Sequence, residues 1–480
     1  MNGELDLQAC HAAADARDRR ADGRFFIGVT STGIYCRCVC PARLTKRQNR
    51  RFFASAAAAE NQGFRPCLRC RPECAPGAAP IDAADRLAHL AVKRIEAGAL
   101  EERGLDALAA ELGVTDRHLR RVVFRTFGAS PVDLAQTHRL LTAKRLLKDT
   151  RLPMTEVAFA AGFQSLRRFN ALFRERYAMA PSRVRARTTA AVRDGALSFA
   201  LAARGSFDGA APLAHLQQRR VAGLEAQTGP AAWTRSFAIG EHAGWLTLEL
   251  GGPTPSLTLS EGLMPVFRQV LAAARAALDL DTDVEVIDAF FAGRHLDAPP
   301  GLRLPGALDP FELTVRAILG QQVTVRAAST LAARLTARFG APLQTPVEGV
   351  DRLFPTPARL AEAGAAALAA LGGQPRARAE TVHRLAVAVA RGQLTLVRGA
   401  VAAGRAGLGA IAGIGPWTVE YVALRALGDA DAFPLGDSAL RSAYDGDLRA
   451  AHARWRPWRA YAATRLWHRT ATRPRGEARP

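Results

Sequence analysis

A multidomain chain, mainly α-helical with α+β parts, follows from three features of this 480-residue sequence. Six of its 7 cysteines crowd between Cys36 and Cys74, too compact a set to spread over a large core. Apolar residues recur at three- and four-residue spacing over most of 86–187 and 301–470, the period of helices packed on one face. Between those regions, from 196 to 300, apolar and polar residues alternate and are interrupted by Gly/Pro turns, the period of antiparallel strands. At roughly 100 to 200 residues per domain the length accommodates four parts. These are a small four-cysteine zinc module (1–76), a tandem helix-turn-helix region (84–187), an antiparallel α+β region (196–300) and an all-α region built round a helix-hairpin-helix (301–470). "CAPGAAPIDAAD", "RARTTAAVRDGALSF" and "DAPPGLRLPGALDPF" mark the joints, and the tail "HRTATRPRGEARP" reads as disordered.

Composition narrows the function. The chain carries 65 Lys+Arg against 44 Asp+Glu, formally +21, an excess that suits a polyanion such as nucleic acid, although Arg-rich usage throughout gives a second source for it. The N-terminal stretch has no basic segment followed by an apolar one, and no apolar run reaches the ~18 residues of a membrane span, so a soluble cytoplasmic protein is expected. Few cysteines in so long a chain exclude a disulfide scaffold and favour metal.

In the first module Cys36 and Cys40 are four positions apart and Cys67 and Cys70 three apart. Two such pairs suit tetrahedral zinc, and a purely structural site satisfies the spacing as well as a reactive one. The surrounding "FFIGVTSTGIYCRCVCPARL" and "NRRFFASAAAAENQGFRPCLRCRPE" closely resemble the N-terminal domain of the Ada family of alkylation sensors. The resemblance implies zinc held by Cys36, Cys40, Cys67 and Cys70, with Cys36 taking a methyl group irreversibly from a DNA methylphosphotriester. It also implies backbone contacts from Thr32, Arg43 and Arg65, and tighter DNA binding once a thiolate charge is lost. Cys38 stands where the family usually has Pro and is expected to be a spectator; Cys10 and Cys74 carry no role.

The helical region repeats itself. "LDALAAELGVTDRHLRRVVFRTFG" and "MTEVAFAAGFQSLRRFNALFRERYA" each run helix, glycine turn (Gly113, Gly162), polar cap, basic helix. Two such units in tandem, joined by "GASPVDLAQTHRLLTAKRLL" and closed by "APSRVR", resemble the AraC type of DNA-binding domain. Arg117, His118, Arg120 and Arg121 belong to its first recognition helix, and Ser165, Arg167, Arg168 and Asn170 to the second. The resemblance implies a promoter operator and, for a regulator, RNA polymerase as partners.

The last half has no cysteine after Cys74, so it cannot repair a base by cysteine methyl transfer. It contains "LGAIAGIGPWTVEYVALRAL", whose Gly413 and Gly415 open a turn that can approach a DNA phosphate, and downstream "DAFPLGDSALRSAY". On this stretch alone Asp437 reads as a helix N-cap. Together with "GLRLPGALDPFELTVRAILGQQVTVRAASTLAARL" and "RWRPWRAYAATRLW", these stretches resemble the AlkA family of helix-hairpin-helix DNA glycosylases over about 196–470. The resemblance implies Asp437 as the catalytic carboxylate, Trp417, Tyr421 and Trp467 in or near the base pocket, and Gln322 wedged into the vacated stack, where AlkA has an apolar residue. Ser438 also departs from the family, which more often has an apolar residue there. Trp417 occupies the place of the Schiff-base lysine of strand-cutting relatives, so base removal without lyase activity is expected.

The expected function is DNA alkylation repair joined to regulation of the adaptive response in a bacterial, nucleoid-associated protein. It excises alkylated bases such as 3-methyladenine from double-stranded DNA and switches its DNA binding by methyl transfer to Cys36. A regulator whose last half grips DNA without catalysis, and a structural zinc protein that binds DNA non-specifically, remain as alternatives.

Overall fold

The computed structural model describes residues 5–18, 21–75, 86–185 and 196–472. The linker segments 76–85 and 186–195 and the tail beyond 472 lie outside the described residues. The chain divides into two compact units. One comprises Met1–Gly205, Ser256–Arg275 and Leu280–Asp283; the other comprises Ser206–Pro255, Ala276–Asp279 and Val284–Pro480. The stretch 196–300 is thus shared between them.

The first unit opens with helix Leu7–Ala16, capped by the Asp6 carboxylate. A four-stranded sheet follows, made of Arg50–Phe53, Phe26–Val29, Ile34–Cys36 and Arg65–Pro66 in that spatial order. Ile34–Cys36 lies between an antiparallel neighbour, with Ile27 opposite Cys36, and a parallel one, with Tyr35 opposite Pro66. The parallel pair brings Cys67 beside Cys36, since the Cys67 N–H donates to the Tyr35 carbonyl at 3.0 Å. Phe26, Tyr35, Ala56, Ala59 and Phe64 form the core of this module, together with Leu141 from a later helix.

The helical part contains the two expected helix-turn-helix units. In the first, Gly104–Glu111 leads into Asp116–Phe127; in the second, Met154–Ala160 leads into Leu166–Tyr177. Gly113 and Gly162 sit at the turns with φ of 73° and 88°, the left-handed region that favours glycine. Leu119, Val123 and Phe127 of one basic helix, and Phe169, Phe173 and Tyr177 of the other, are the buried faces. Helix Pro131–Asp149 joins the units and starts with a reciprocal capping box between Ser130 and Asp133. Strand Ala196–Ala200 pairs antiparallel with Ser256–Ser260.

The second unit begins with helix Ala210–Gln218 and an antiparallel meander of Glu225–Gln227, Ala232–Ile239 and His242–Glu249. Ile239 pairs with His242, so Gly240 (φ 60°) and Glu241 form a two-residue hairpin loop. A helical assembly follows. Helix Pro416–Arg425 is buried on two sides, with Val422 in a core shared with Ile318, Leu335, Leu385 and Leu408, and Leu424 in one shared with Phe291, Leu440, Trp455 and Leu466. Burial on both faces fixes this helix in rotation, and with it the direction of Trp417 and Tyr421.

Candidate metal centre, DNA-binding helices and base pocket

The sulfur atoms of Cys36, Cys40, Cys67 and Cys70 all lie within 4.8 Å of one another. Tetrahedral zinc with Zn–S near 2.3 Å requires sulfurs about 3.8 Å apart, so the cluster fits the metal with little adjustment. Cys67 and Cys70 are buried, and their sulfurs accept the N–H of Arg69 and Arg37, each at 3.4 Å. Cys36 and Cys40 are half-buried. Cys36 lines a cavity of about 390 Å³ whose wall includes Thr32, Arg43 and Arg65, so the three residues expected at the DNA backbone share a cavity with the expected acceptor.

Cys38 turns away. It is 2% exposed in a separate core with Cys10, Ala14, Phe25 and Ile27, and its thiol donates to the Asp18 carbonyl at 3.3 Å. Burial pushes it up to about 12. Two features of the module were not evident in the sequence. The Glu60 carboxylate is buried and receives the hydroxyls of Tyr35 (2.9 Å) and Thr137 (2.8 Å). Lys144, fully buried, donates to the Cys67 carbonyl at 2.9 Å and to Glu73 at 2.7 Å. Both tie the cysteine module to helix Pro131–Asp149.

On the first basic helix Arg117, Arg120 and Arg121 are exposed and His118 is half-buried, with its Nδ1 3.2 Å from Arg121. On the second, Arg167 and Arg168 are exposed and Asn170 is half-buried. Thr115 and Ser165 are the N-caps, accepting the N–H of His118 and Arg168. Ser165 thus caps its own helix and keeps its O–H to donate.

In the second unit Asp437 caps helix Ser438–Ala443, its Oδ1 accepting the Leu440 N–H at 3.0 Å. The cap does not exhaust the carboxylate. Trp417 Nε1 donates to Oδ2 at 3.0 Å and Trp467 Nε1 to Oδ1 at 3.2 Å. Tyr421 stacks on Trp417 at 5.1 Å and 15°, and meets Trp467 edge-on at 6.0 Å. The four residues singled out in the sequence thus form one half-buried constellation of a carboxylate and three aromatic rings. Ser438 is exposed.

The hairpin Ala410–Gly415 precedes helix Pro416–Arg425. Gly413 has φ 97°, and a Cβ there would lie 2.0 Å from Thr381 Oγ1, so this glycine is required by the protein's own packing. Gly415 has open space around it and caps the helix with no side-chain bond, leaving N–H groups for a phosphate. Gln322 is exposed at a turn with φ 56°, uncommon for a residue with a side chain. Its neighbour Gln321 reaches the hairpin, donating to Thr418 Oγ1 at 3.1 Å and to the Gly413 carbonyl at 3.3 Å.

Four family models match successive parts of the chain. The metal-binding domain of Ada matches residues 9–73, a helix-turn-helix domain 108–187, the AlkA N-terminal domain 198–309, and the HhH-GPD superfamily of base excision DNA repair proteins 315–459. The chain is 37% identical, over 96% of its own length and 96% of the relative's, to the probable bifunctional transcriptional activator/DNA repair enzyme AlkA of Mycobacterium tuberculosis. It is 37% identical to DNA-3-methyladenine glycosylase 2 of Escherichia coli, covering 56% of this chain and 96% of that protein. Bifunctional transcriptional activator/DNA repair enzyme Ada of E. coli is 40% identical over 27% of this chain and 35% of its own.

Proposed function

The chain belongs to the family of bifunctional transcriptional activator/DNA repair enzyme AlkA proteins, and from that membership we propose how its residues divide the work. It is a DNA alkylation-repair and regulatory protein with a glycosylase for alkylated bases such as 3-methyladenine. The observation that carries the catalytic reading is the Asp437 carboxylate, held by two indole N–H groups beside three aromatic rings. Alkylated purines are cationic, and electron-rich aromatic faces favour them once they leave the stack. As the C–N bond breaks, its electron pair goes to the base and the sugar becomes oxocarbenium-like. Asp437 stabilises that cation and takes the proton of the attacking water. Gln322 fills the vacated stack, and the N–H groups after Gly415 hold the backbone.

Strand cleavage through a Schiff base needs an amine. The last lysine of the sequence is Lys148, so the entire glycosylase half lacks one, in agreement with Trp417 at the lysine's place. Duplex DNA containing 3-methyladenine tests this reading: free base should appear with the strand intact, and Asp437→Asn should release none. A folded, DNA-binding protein that releases no base would leave a regulator whose last half only grips DNA.

The sensor chemistry is assigned to Cys36. Zinc held by Cys36, Cys40, Cys67 and Cys70 keeps their thiols ionised at neutral pH. The Cys36 sulfur attacks the methyl carbon of a methylphosphotriester. An S–C bond forms, the C–O bond breaks, and its electron pair restores the phosphodiester anion. One thiolate charge is lost, repulsion from phosphate falls, and the helix-turn-helix residues Arg117, His118, Arg121, Arg167, Arg168 and Asn170 bind an operator more tightly. Thr32, Arg43 and Arg65 seat the backbone, and RNA polymerase is the partner at the promoter. The functional divisions are 1–76, 84–187, 196–300 and 301–470. Among the described residues no helix is long and apolar enough to cross a membrane, and the nucleoid of the bacterial cytoplasm is the proposed location.

A further inference from the structure

Behind the aromatic rings lies a charge that this mechanism does not use. Arg425 follows Tyr421 by one helical turn and is 5% exposed. Its Nη1 donates to the Tyr421 hydroxyl at 2.6 Å, its Nε to the Pro305 carbonyl at 2.6 Å, and its Nη2 contacts His215 Nε2 at 2.8 Å and the Gly306 carbonyl at 3.4 Å. Because a guanidinium only donates, His215 Nε2 is the acceptor and the imidazole is neutral; burial and the Arg425 charge push its pKa well below the ordinary value. These partners are two carbonyls, a phenol and a neutral imidazole. Nearby Arg316 and Arg235, by contrast, are paired with Glu225 and Glu312. A buried cation with neutral partners is costly to keep, and this one lies 5.4 Å from the centre of the Tyr421 ring.

We propose that Arg425 is an electrostatic positioning residue of the glycosylase, fixing Tyr421 and driving the positive charge of a bound alkylated base out of the pocket and onto the sugar. This rests on the assignment of the rings beside Asp437 as the base pocket. In the bound substrate the positive charge resides on the base, within range of Arg425. In the transition state the glycosidic electrons have moved onto the base and the charge has moved to the sugar, beside Asp437. The guanidinium raises the energy of the first state, the carboxylate lowers that of the second, and both effects favour C–N cleavage. The electron pair moves onto a departing neutral base as well, so the same guanidinium lowers the barrier for either base, and selectivity for cationic lesions stays with their better leaving-group ability and with the aromatic faces.

Two consequences separate this role from a scaffold. Removing the charge should slow cleavage while leaving affinity for the cationic lesion undiminished, because a repulsion in the ground state has also been removed. A donor without charge should restore the contact to Tyr421 and leave the rate low.

The experiment compares the full-length parent, Arg425→Met and Arg425→Gln in single-turnover excision of 7-methylguanine from duplex DNA at saturating enzyme. Affinities are measured in parallel for that duplex and for the same duplex with guanine in its place. Both variants are expected to cut the rate at least about tenfold, the effect of a unit charge several ångströms away in a half-shielded site. Affinity for the lesion duplex should be unchanged or tighter, and affinity for the guanine duplex unchanged. A rate equal to the parent's, a Gln variant that behaves like the parent, or equal weakening of both affinities would overturn the proposal. No excision by the parent of either 7-methylguanine or 3-methyladenine would remove the base-pocket reading together with it.

Discussion

Loss of Lys144 should disturb the first unit. Its ammonium is fully buried, 2.7 Å from Glu73 and 2.9 Å from the carbonyl of Cys67, a proposed zinc ligand. Lys144→Met retains the length of the side chain and removes the charge. It leaves the Glu73 carboxylate, itself 1% exposed, with Arg71 at 3.2 Å as its remaining ionic partner. Arg71 is 30% exposed, so its compensation is weakened by solvent. Breaking a buried pair in this way costs about 3 kcal/mol, and removing both partners returns much of it. The assay is a double-mutant cycle with Lys144→Met, Glu73→Gln and the pair, followed by urea unfolding of the zinc-loaded protein and by the rate of zinc loss to a chelator. The single lysine variant should lose about 3 kcal/mol and release zinc faster, and the pair should recover at least ~1 kcal/mol relative to additivity. A cost under ~1 kcal/mol, or strict additivity, would refute the idea that this contact joins the cysteine module to the helix that links the two helix-turn-helix units.

Asp309 gives a pH prediction. Burial, with the charge of Glu312, pushes its carboxyl up to about 6, whereas in the unfolded chain it ionises near ~3.9. Its contribution to folding is therefore full below the unfolded value and lost as pH rises through about 6. Asp309→Asn keeps an acceptor for the N–H groups of Phe311 and Glu312, and near neutral pH it should stabilise the second unit by about 2 kcal/mol in urea unfolding, with the gain vanishing in acid. Cys38→Ala should leave zinc stoichiometry and methyl acceptance unchanged by metal analysis and mass spectrometry, because the thiol points into a separate core. Trp417→Phe removes one donor to Asp437 while retaining an aromatic ring, and should slow single-turnover base release by about tenfold.

Residues whose placement depends on local spacing were legible in the sequence. The four cysteines lie in two short pairs, and the strand and turn around each pair carry the metal geometry. Asp437, Trp417, Tyr421 and Trp467 were legible through resemblance, although nothing local distinguished Asp437 from an ordinary cap, which it also is. The residues that were missed depend on distant neighbours. Lys144 sits in a basic stretch that reads as a solvated helix face, and is buried because Cys67 and Glu73 fold over it. Glu60 follows a run of alanines and reads as exposed, yet Tyr35 and Thr137 enclose it. Arg425 reads as a long side chain reaching for water, until His215, Pro305 and Gly306 close around it. Gly413 reads as a turn open to DNA, and the structure adds that Thr381 leaves no room for a side chain there. In each case the missing information was the identity of a partner tens to hundreds of positions away.

The proposed function assigns two independent chemistries to one chain, at Cys36 and at Asp437. A single incubation separates them: the full-length protein with methylated duplex DNA, followed by mapping of methyl groups on its peptides and measurement of free base in solution. The parent should carry a methyl group on Cys36 and release 3-methyladenine. Cys36→Ala should abolish only the first, and Asp437→Asn only the second. A methyl group on another cysteine, or either variant losing both activities while still folded, would contradict this division of labour.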